Sequence, residues 1–259
     1  MMVEIRSPAE IRAMRDAGRV AANTLAAVQA MLRPGVSTAE VDRFVRAHTR
    51  AQGATPSQLG YHGFPAAVCV SRNEVVCHGV PSEREVLAEG DIVNVDVTSC
   101  FKGWHGDTSA TFRIGAVSAE AERVALAAQR ARDAALAVLC DGCRMGDLGA
   151  AIEAVARAHG CTVVDAFGGH GIGRKMHAAP HVAHTGRAGA GMRLRAGMVI
   201  TLEPMLNLGG PEVEIDPDGW TVRTRDRALS AQFEHTVLIT ARGCERLTLP
   251  DSPDGAWWL

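Results

Sequence analysis

Four carboxylates interrupt segments that otherwise read as buried strand. Asp96 lies in DIVNVDVTSC (91–100), and Asp107 follows eleven residues later in GWHGDTSATF. Glu203 lies in MVITLEPML (198–206) and Glu234 in QFEHTVLIT (232–240). By alternation, Asp96 shares a face with Asn94 and Thr98, while Val95 and Val97 take the other. A hairpin turn at FKGW would bring Asp96 and Asp107 together on neighbouring antiparallel strands. Two readings compete: a solvated sheet face, or a cation that compensates like charges held close. The apolar surroundings of Glu203 and Glu234 favour the cation. Hard oxygen donors joined by the imidazole of His170 suit two divalent ions, Co²⁺, Mn²⁺ or Fe²⁺, with Zn²⁺ also compatible. Such ions share carboxylates at separations of ~3.5–4 Å.

Residues 167–184, FGGHGIGRKMHAAPHVAH, crowd four histidines and four glycines together. A phosphate loop would need a helix directly after the glycines. RKMHAAPHV carries an early proline and makes a poor helix, so His170 is better read as a metal ligand. Glycines would let its backbone pass close to the ions. His181 and His184 are expected at the surface or rim.

The elements that must position these groups come in a repeated order. Ser7 with Glu10 and Ser37 with Glu40 form capping-box patterns at two helix starts, the first with Pro8 at its opening position. The first helix is predicted to run through Met31, the second to end near Gly53. Strand-like segments follow, AAVCVS from about residue 66 and then the predicted hairpin. Residues 118–140 and GDLGAAIEAVARAHG, ending at Gly160, read as two more helices, and strands return at 198–206, 221–226 and 232–240. At an offset of 107, Gly35, Val41, Val45 and Gly53 fall on Gly142, Leu148, Ile152 and Gly160. This faint repeat points to a duplicated α+β domain spanning 1–259, with pseudo-two-fold halves at about 7–115 and 118–245 and mixed or antiparallel strands. A ligand site between such halves would draw groups from both.

Charge nearly cancels, 27 Lys and Arg against 29 Asp and Glu, which argues against nucleic-acid wrapping or membrane-surface binding as the main activity. No run of 18 apolar residues spans a membrane. The charged start MMVEIRSPAEIR lacks the apolar stretch of a secretory signal. Seven scattered cysteines then read as reduced cytosolic thiols, and the Cys140/Cys143 pair as incidental at a helix end.

The segments YHGFP, NEVVCHGVP, DIVNVDVT, HGDTS, GGHGIGRKMH, ITLEPM and DGWTVRTRDRALSAQFEHTVLIT, in that order over about residues 5–249, resemble those of the type I, bacterial-type methionine aminopeptidases. The resemblance implies the pita-bread fold of the M24 metallopeptidases and a dinuclear metal centre in a cytoplasmic enzyme. That enzyme would remove the initiator methionine from nascent proteins, as a monomer with transient ribosome contact. It implies Asp96, Asp107, His170, Glu203 and Glu234 as ligands, with Asp107 and Glu234 bridging, and Glu203 also as proton shuttle. His78 and His177 would be non-ligand active-site histidines. Tyr61, Phe64, Cys69, Met176 and Trp220 would line a methionine pocket, where an apolar, sulfur-tolerant surface suits a thioether. Small second residues would be preferred. Two departures stand out: Ala178 and Ala179 replace acidic residues that often follow the second histidine, and Gln58 stands where a pocket cysteine is often found.

Overall fold

The computed structural model describes residues 3–252, so the ends of the expected 1–259 domain lie outside the described residues. Both capping boxes form, at Ser7/Glu10 and Ser37/Glu40, and open helices α1 (Pro8–Gln29) and α2 (Thr38–Ala51). The strands of the first half are β1 (Thr55–Pro56), β2 (Cys69–Arg72), β3 (Val75–Cys77), β4 (Ile92–Phe101) and β5 (Trp104–Arg113). Helices α3 (Ala119–Val138) and α4 (Met145–Ala158) follow. Then come β6 (Thr162–Val163), β7 (Gly169–Gly171), β8 (Ala178–Val182), β9 (Val199–Leu202) and β10 (Met205–Asn207). The last strands are β11 (Val213–Ile215), β12 (Val222–Thr224), β13 (Ser230–Gln232), β14 (His235–Thr240) and β15 (Gly243–Arg246).

Every strand pair among the described residues is antiparallel, the second of the two expected arrangements, and the strands form four sheets. Strand β4 pairs with β5 along its whole length, leaving its other edge to β2 and, further along, β1. A five-stranded sheet runs β15-β14-β9-β7-β8, and two three-stranded sheets run β13-β10-β6 and β11-β12-β3.

The valines Val93, Val95 and Val97 are fully buried in a core shared with Ala21, Leu25 and Val28 of α1. That apolar face, recurring every three to four residues, is what lays α1 across the hairpin. The approach is tight at one point: a Cβ on Gly106 would lie 2.5 Å from the Gly18 backbone. Glycine at 106 permits this approach, a Cβ on Gly18 would instead meet Leu247 O at 2.3 Å, and Asp107 is the next residue in β5.

Two expected strands are broken. MVITLEPML splits into β9 and β10, which belong to different sheets, with Glu203 and Pro204 at the crossing. Pro204 has no N–H to offer a ladder. QFEHTVLIT splits at Phe233 and Glu234. There the Glu234 N–H donates to Ser109 O (2.9 Å) and its carbonyl accepts from the Thr108 hydroxyl (2.9 Å), so the backbone is satisfied by β5 instead of a ladder partner. Because β9 pairs with β14 and β10 with β13, the two glutamates face each other across the same crossing.

Candidate metal centre and its cleft

The face of β4–β5 that carries Asp96 is not solvated. Asn94, Thr98 and Asp107 are 3 %, 2 % and 5 % exposed. In the ladder Asp96 lies opposite Ser109 and Asp107 opposite Thr98, which makes the two aspartates diagonal neighbours on one face. Glu234 reaches the same point from the crossing. One oxygen of each of Asp96, Asp107 and Glu234 lies within 4.8 Å of the others. Across from them, His170 Nε2 is 3.7 Å from both Asp107 Oδ2 and Glu203 Oε1.

His170 sits in strand β7, not in a loop. That strand is squeezed between β8 and β9: a Cβ on Gly171 would meet Ala179 O at 2.0 Å, and one on Gly169 would meet Thr201 O at 2.3 Å. The flanking glycines therefore serve close strand packing, and no helix follows to make a phosphate loop. His170 Nδ1 lies 3.0 Å from the Gly171 carbonyl, an acceptor only, so Nδ1 carries the proton. Its Nε2 lone pair then faces two carboxylates, an arrangement of acceptors alone that a cation between them would satisfy.

Other observations fit the same ion site. Among the described residues, Glu234 Oε1 is buried without a hydrogen-bond partner. Burial, with the charges of Asp107 and Glu203, pushes the Asp96 and Glu234 carboxyls well above the usual range. Burial raises Asp107 to about 6, held back by the Thr98 hydroxyl donating to Oδ1 at 2.7 Å. Burial and Asp107 raise Glu203 to about 8, although Thr201 (2.7 Å) and Gln232 (3.1 Å) both donate to it. Burial, followed by His177, lowers His170 to about 3, leaving it neutral. Clustered acids that resist ionisation, beside an imidazole that resists protonation, suit divalent ions.

All twelve residues expected at the site line one cleft of about 340 Å³. Phe64 and Trp220 meet edge to face, centroids 5.2 Å apart, and pack with Ala66 and Cys69 into an apolar wall. Met176 is buried beside it. His78 adopts a left-handed backbone (φ 55°) and packs edge-on against Phe167 at 5.6 Å. Burial, and then neighbouring histidines, lower His177 to about 4. Its Nδ1 lies 2.8 Å from the Tyr61 hydroxyl, and its ring meets His170 edge-on at 4.2 Å.

Sequence reasoning missed some of the lining. Phe167 and Met205 extend the apolar wall, and Gln232 holds Glu203. Gln58 was legible only as a departure from the family pattern; its Nε2 donates to the Asp96 carbonyl (2.9 Å) and carboxylate (3.3 Å). His181 is exposed at the cleft, as expected, but the surface placement of His184 is wrong. His184 is 1 % exposed and accepts the Glu203 N–H at Nε2 (3.3 Å), which the strand break leaves without a ladder partner.

The loop between β7 and β8 docks on the β4–β5 turn. His105 N donates to Gly173 O (2.9 Å), and Arg174 lies over the Trp104 ring at 4.4 Å. Among the described residues no helix is long and apolar enough to cross a membrane.

Known proteins share this arrangement at the level of the whole chain. The profile of metallopeptidase family M24 matches residues 12–241. The methionine aminopeptidase of Escherichia coli K12 is 45 % identical over 250 residues, covering 96 % of this chain and 95 % of that one. Methionine aminopeptidase B of Synechocystis is 48 % identical over 248 residues, covering 94 % and 90 %. The crystal structure of methionine aminopeptidase from Rickettsia prowazekii superposes with a TM-score of 0.94 at 40 % identity, covering 96 % of this chain and 100 % of that one. With the ligand-type residues gathered in one cleft and similarity running from end to end, the chain belongs to metallopeptidase family M24, with its pita-bread fold and divalent-metal requirement, and within it to the methionine aminopeptidases.

Proposed function

We propose that the protein hydrolyses the first peptide bond of chains that begin with methionine, releasing the initiator methionine from nascent proteins with small second residues. The observation that carries this reading is one cleft that joins the Asp96, Asp107 and Glu234 carboxylates, with His170 and Glu203 beside them, to an apolar, aromatic wall. Asp96, Asp107, His170, Glu203 and Glu234 would hold two divalent ions. Co²⁺, Mn²⁺, Fe²⁺ and Zn²⁺ all suit this donor set. Bound there, the ions would acidify a water and polarise the scissile carbonyl.

The chain's own residues supply the rest. Tyr61, Phe64, Cys69, Met176 and Trp220 enclose the methionine side chain, whose flexible thioether matches an apolar, aromatic wall. His177 hydrogen-bonds the scissile carbonyl and stabilises the charge that develops on its oxygen. His78 meets the amide nitrogen of the second residue. Glu203 takes a proton from the attacking water and passes it to the leaving nitrogen. The protein acts as a cytoplasmic monomer, one catalytic domain of two halves (about 7–115 and 118–245), meeting the ribosome transiently as chains emerge.

Purified protein supplied with Co²⁺ or Mn²⁺ is expected to release methionine from Met-Ala-Ser peptides, and Asp107→Asn to lose that activity together with bound metal. No release with any first-row divalent ion would refute the enzymatic reading and favour a binding module built on the same fold.

A further inference from the structure

Tyr61 is the only tyrosine in the chain. The other aromatic walls of the cleft, Phe64, Phe167 and Trp220, present only rings and an indole, and a thioether needs no hydroxyl. Among the described residues the hydroxyl of Tyr61 has one hydrogen-bond partner, His177 Nδ1 at 2.8 Å. We propose that Tyr61 is a positioning residue that fixes the tautomer and the orientation of His177, so that Nε2–H is the donor presented to the cleft. The inference rests on the role of His177 given under the proposed function and deepens it.

A neutral imidazole carries its proton on one nitrogen and accepts on the other. A phenol O–H is a stronger acid than a neutral imidazole N–H, and an imidazole lone pair is a stronger base than a phenol oxygen. The favoured polarity of the 2.8 Å contact is therefore O–H···Nδ1. With Nδ1 accepting, the proton must sit on Nε2. That is the nitrogen left free for a ligand, and it becomes a donor, as a developing oxyanion requires.

Both partners are held. Tyr61 lies in a tight turn closed by three backbone bonds: Tyr61 N to Gln58 O (3.0 Å), Phe64 N to Tyr61 O (2.9 Å) and Gly60 N to Phe64 O (2.9 Å). The next residue, His62, has a left-handed backbone (φ 49°), a conformation that persists in a non-glycine residue where surrounding contacts impose it. The His177 ring is wedged between Tyr61, with centroids 5.0 Å apart, and the edge of His170. Rotation of the imidazole would break the hydroxyl bond and press on a candidate ligand, so the Tyr61 contact sets direction as well as protonation site.

The test has two arms on the full-length protein. Long-range ¹H–¹⁵N correlation spectra, with His177 assigned through His177→Gln, read the tautomer directly in the metal-free and the Zn²⁺-loaded protein. The expected result is a proton on Nε2 in the wild type and a mixture of tautomers in Tyr61→Phe. An Nδ1–H tautomer in the wild type overturns the proposal. In the second arm, Tyr61→Phe keeps the ring and its packing but loses the donor. Its kcat on Met-Ala-Ser with Mn²⁺ is expected to fall roughly tenfold, the scale of one lost hydrogen bond, with KM changed less than about twofold. An unchanged kcat, or a change in KM alone, overturns the proposal. The spectra read the tautomer even if no metal supports methionine release, so failure of the proposed function and failure of this inference are separable.

Discussion

Glu203→Gln in the metal-free protein is expected to be more stable than the wild type near neutral pH and inactive when metal is restored. Glu203 is an ordinary carboxyl of 4.5 when unfolded, raised to about 8 in the folded chain by burial and by Asp107. Between those values the native state binds a proton that the unfolded state has released, so stability is full below pH 4.5 and falls as pH rises through 8. At about 1.4 kcal/mol per tenfold change in proton affinity, the loss between pH 5 and pH 7.5 is about 3 kcal/mol. Glutamine is close in shape to the protonated acid and can still accept from Thr201, while ionisation is abolished. Matched to the wild type at pH 5, the variant is therefore expected to unfold roughly 6–12 °C higher at pH 7.5 for a chain of this size. Thermal unfolding after chelation, at both pH values, measures it. With saturating Mn²⁺ the order should invert, because ions that bind only the folded wild type add their binding energy to its stability. A wild type equally stable at pH 5 and 7.5 without metal, or a variant with the same pH slope, would refute the argument that the cluster is strained by its own charge.

Three further outcomes follow from the geometry. Gln58→Ala removes the amide that donates to Asp96 and should weaken Mn²⁺ binding about tenfold or more by titration calorimetry, the usual cost of a lost partner to a ligand; unchanged affinity would show that Asp96 is held without it. Gly106→Ala places a Cβ 2.5 Å from the Gly18 backbone and should cost about 3 kcal/mol, read as a lower urea midpoint; an unchanged midpoint would show that α1 shifts away freely. Trp220→Ala opens one wall of the pocket and should raise KM for Met-Ala-Ser about tenfold with little change in kcat; the reverse pattern would place Trp220 in the chemistry.

The carboxylates were legible because the signal was local. An acid in an apolar alternating segment is costly wherever it lands, and the spacing of Asp96 and Asp107 around a hairpin turn nearly fixes their contact. The helix starts were legible for the same reason, since Ser7 and Ser37 each carry their capping partner three residues on. What the sequence hid was the sheet to which each strand belongs. Alternation assigns faces, not neighbours, so the crossings at Glu203 and Glu234 read as unbroken strands. His184 was misplaced on the surface because its partner, an N–H freed by a strand break, exists only after folding. The contacts of Tyr61 with His177, 116 residues apart, and of Gln58 with Asp96, 38 apart, are likewise invisible to any local pattern. For those residues the family resemblance supplied the neighbourhood but not the bonds.

The β4–β5 turn and the loop docked on it have a practical side. The chain carries 25 arginines but only two lysines, Lys102 and Lys175. Both are exposed, one in that turn and the other two residues before His177. Reagents that attack side-chain amines, such as succinimide esters for dyes, biotin or resin attachment, have no other lysine to choose. Coupling through Lys175 would tether the protein beside the cleft that Met176 and His177 line, while attachment through an appended tag would use neither lysine.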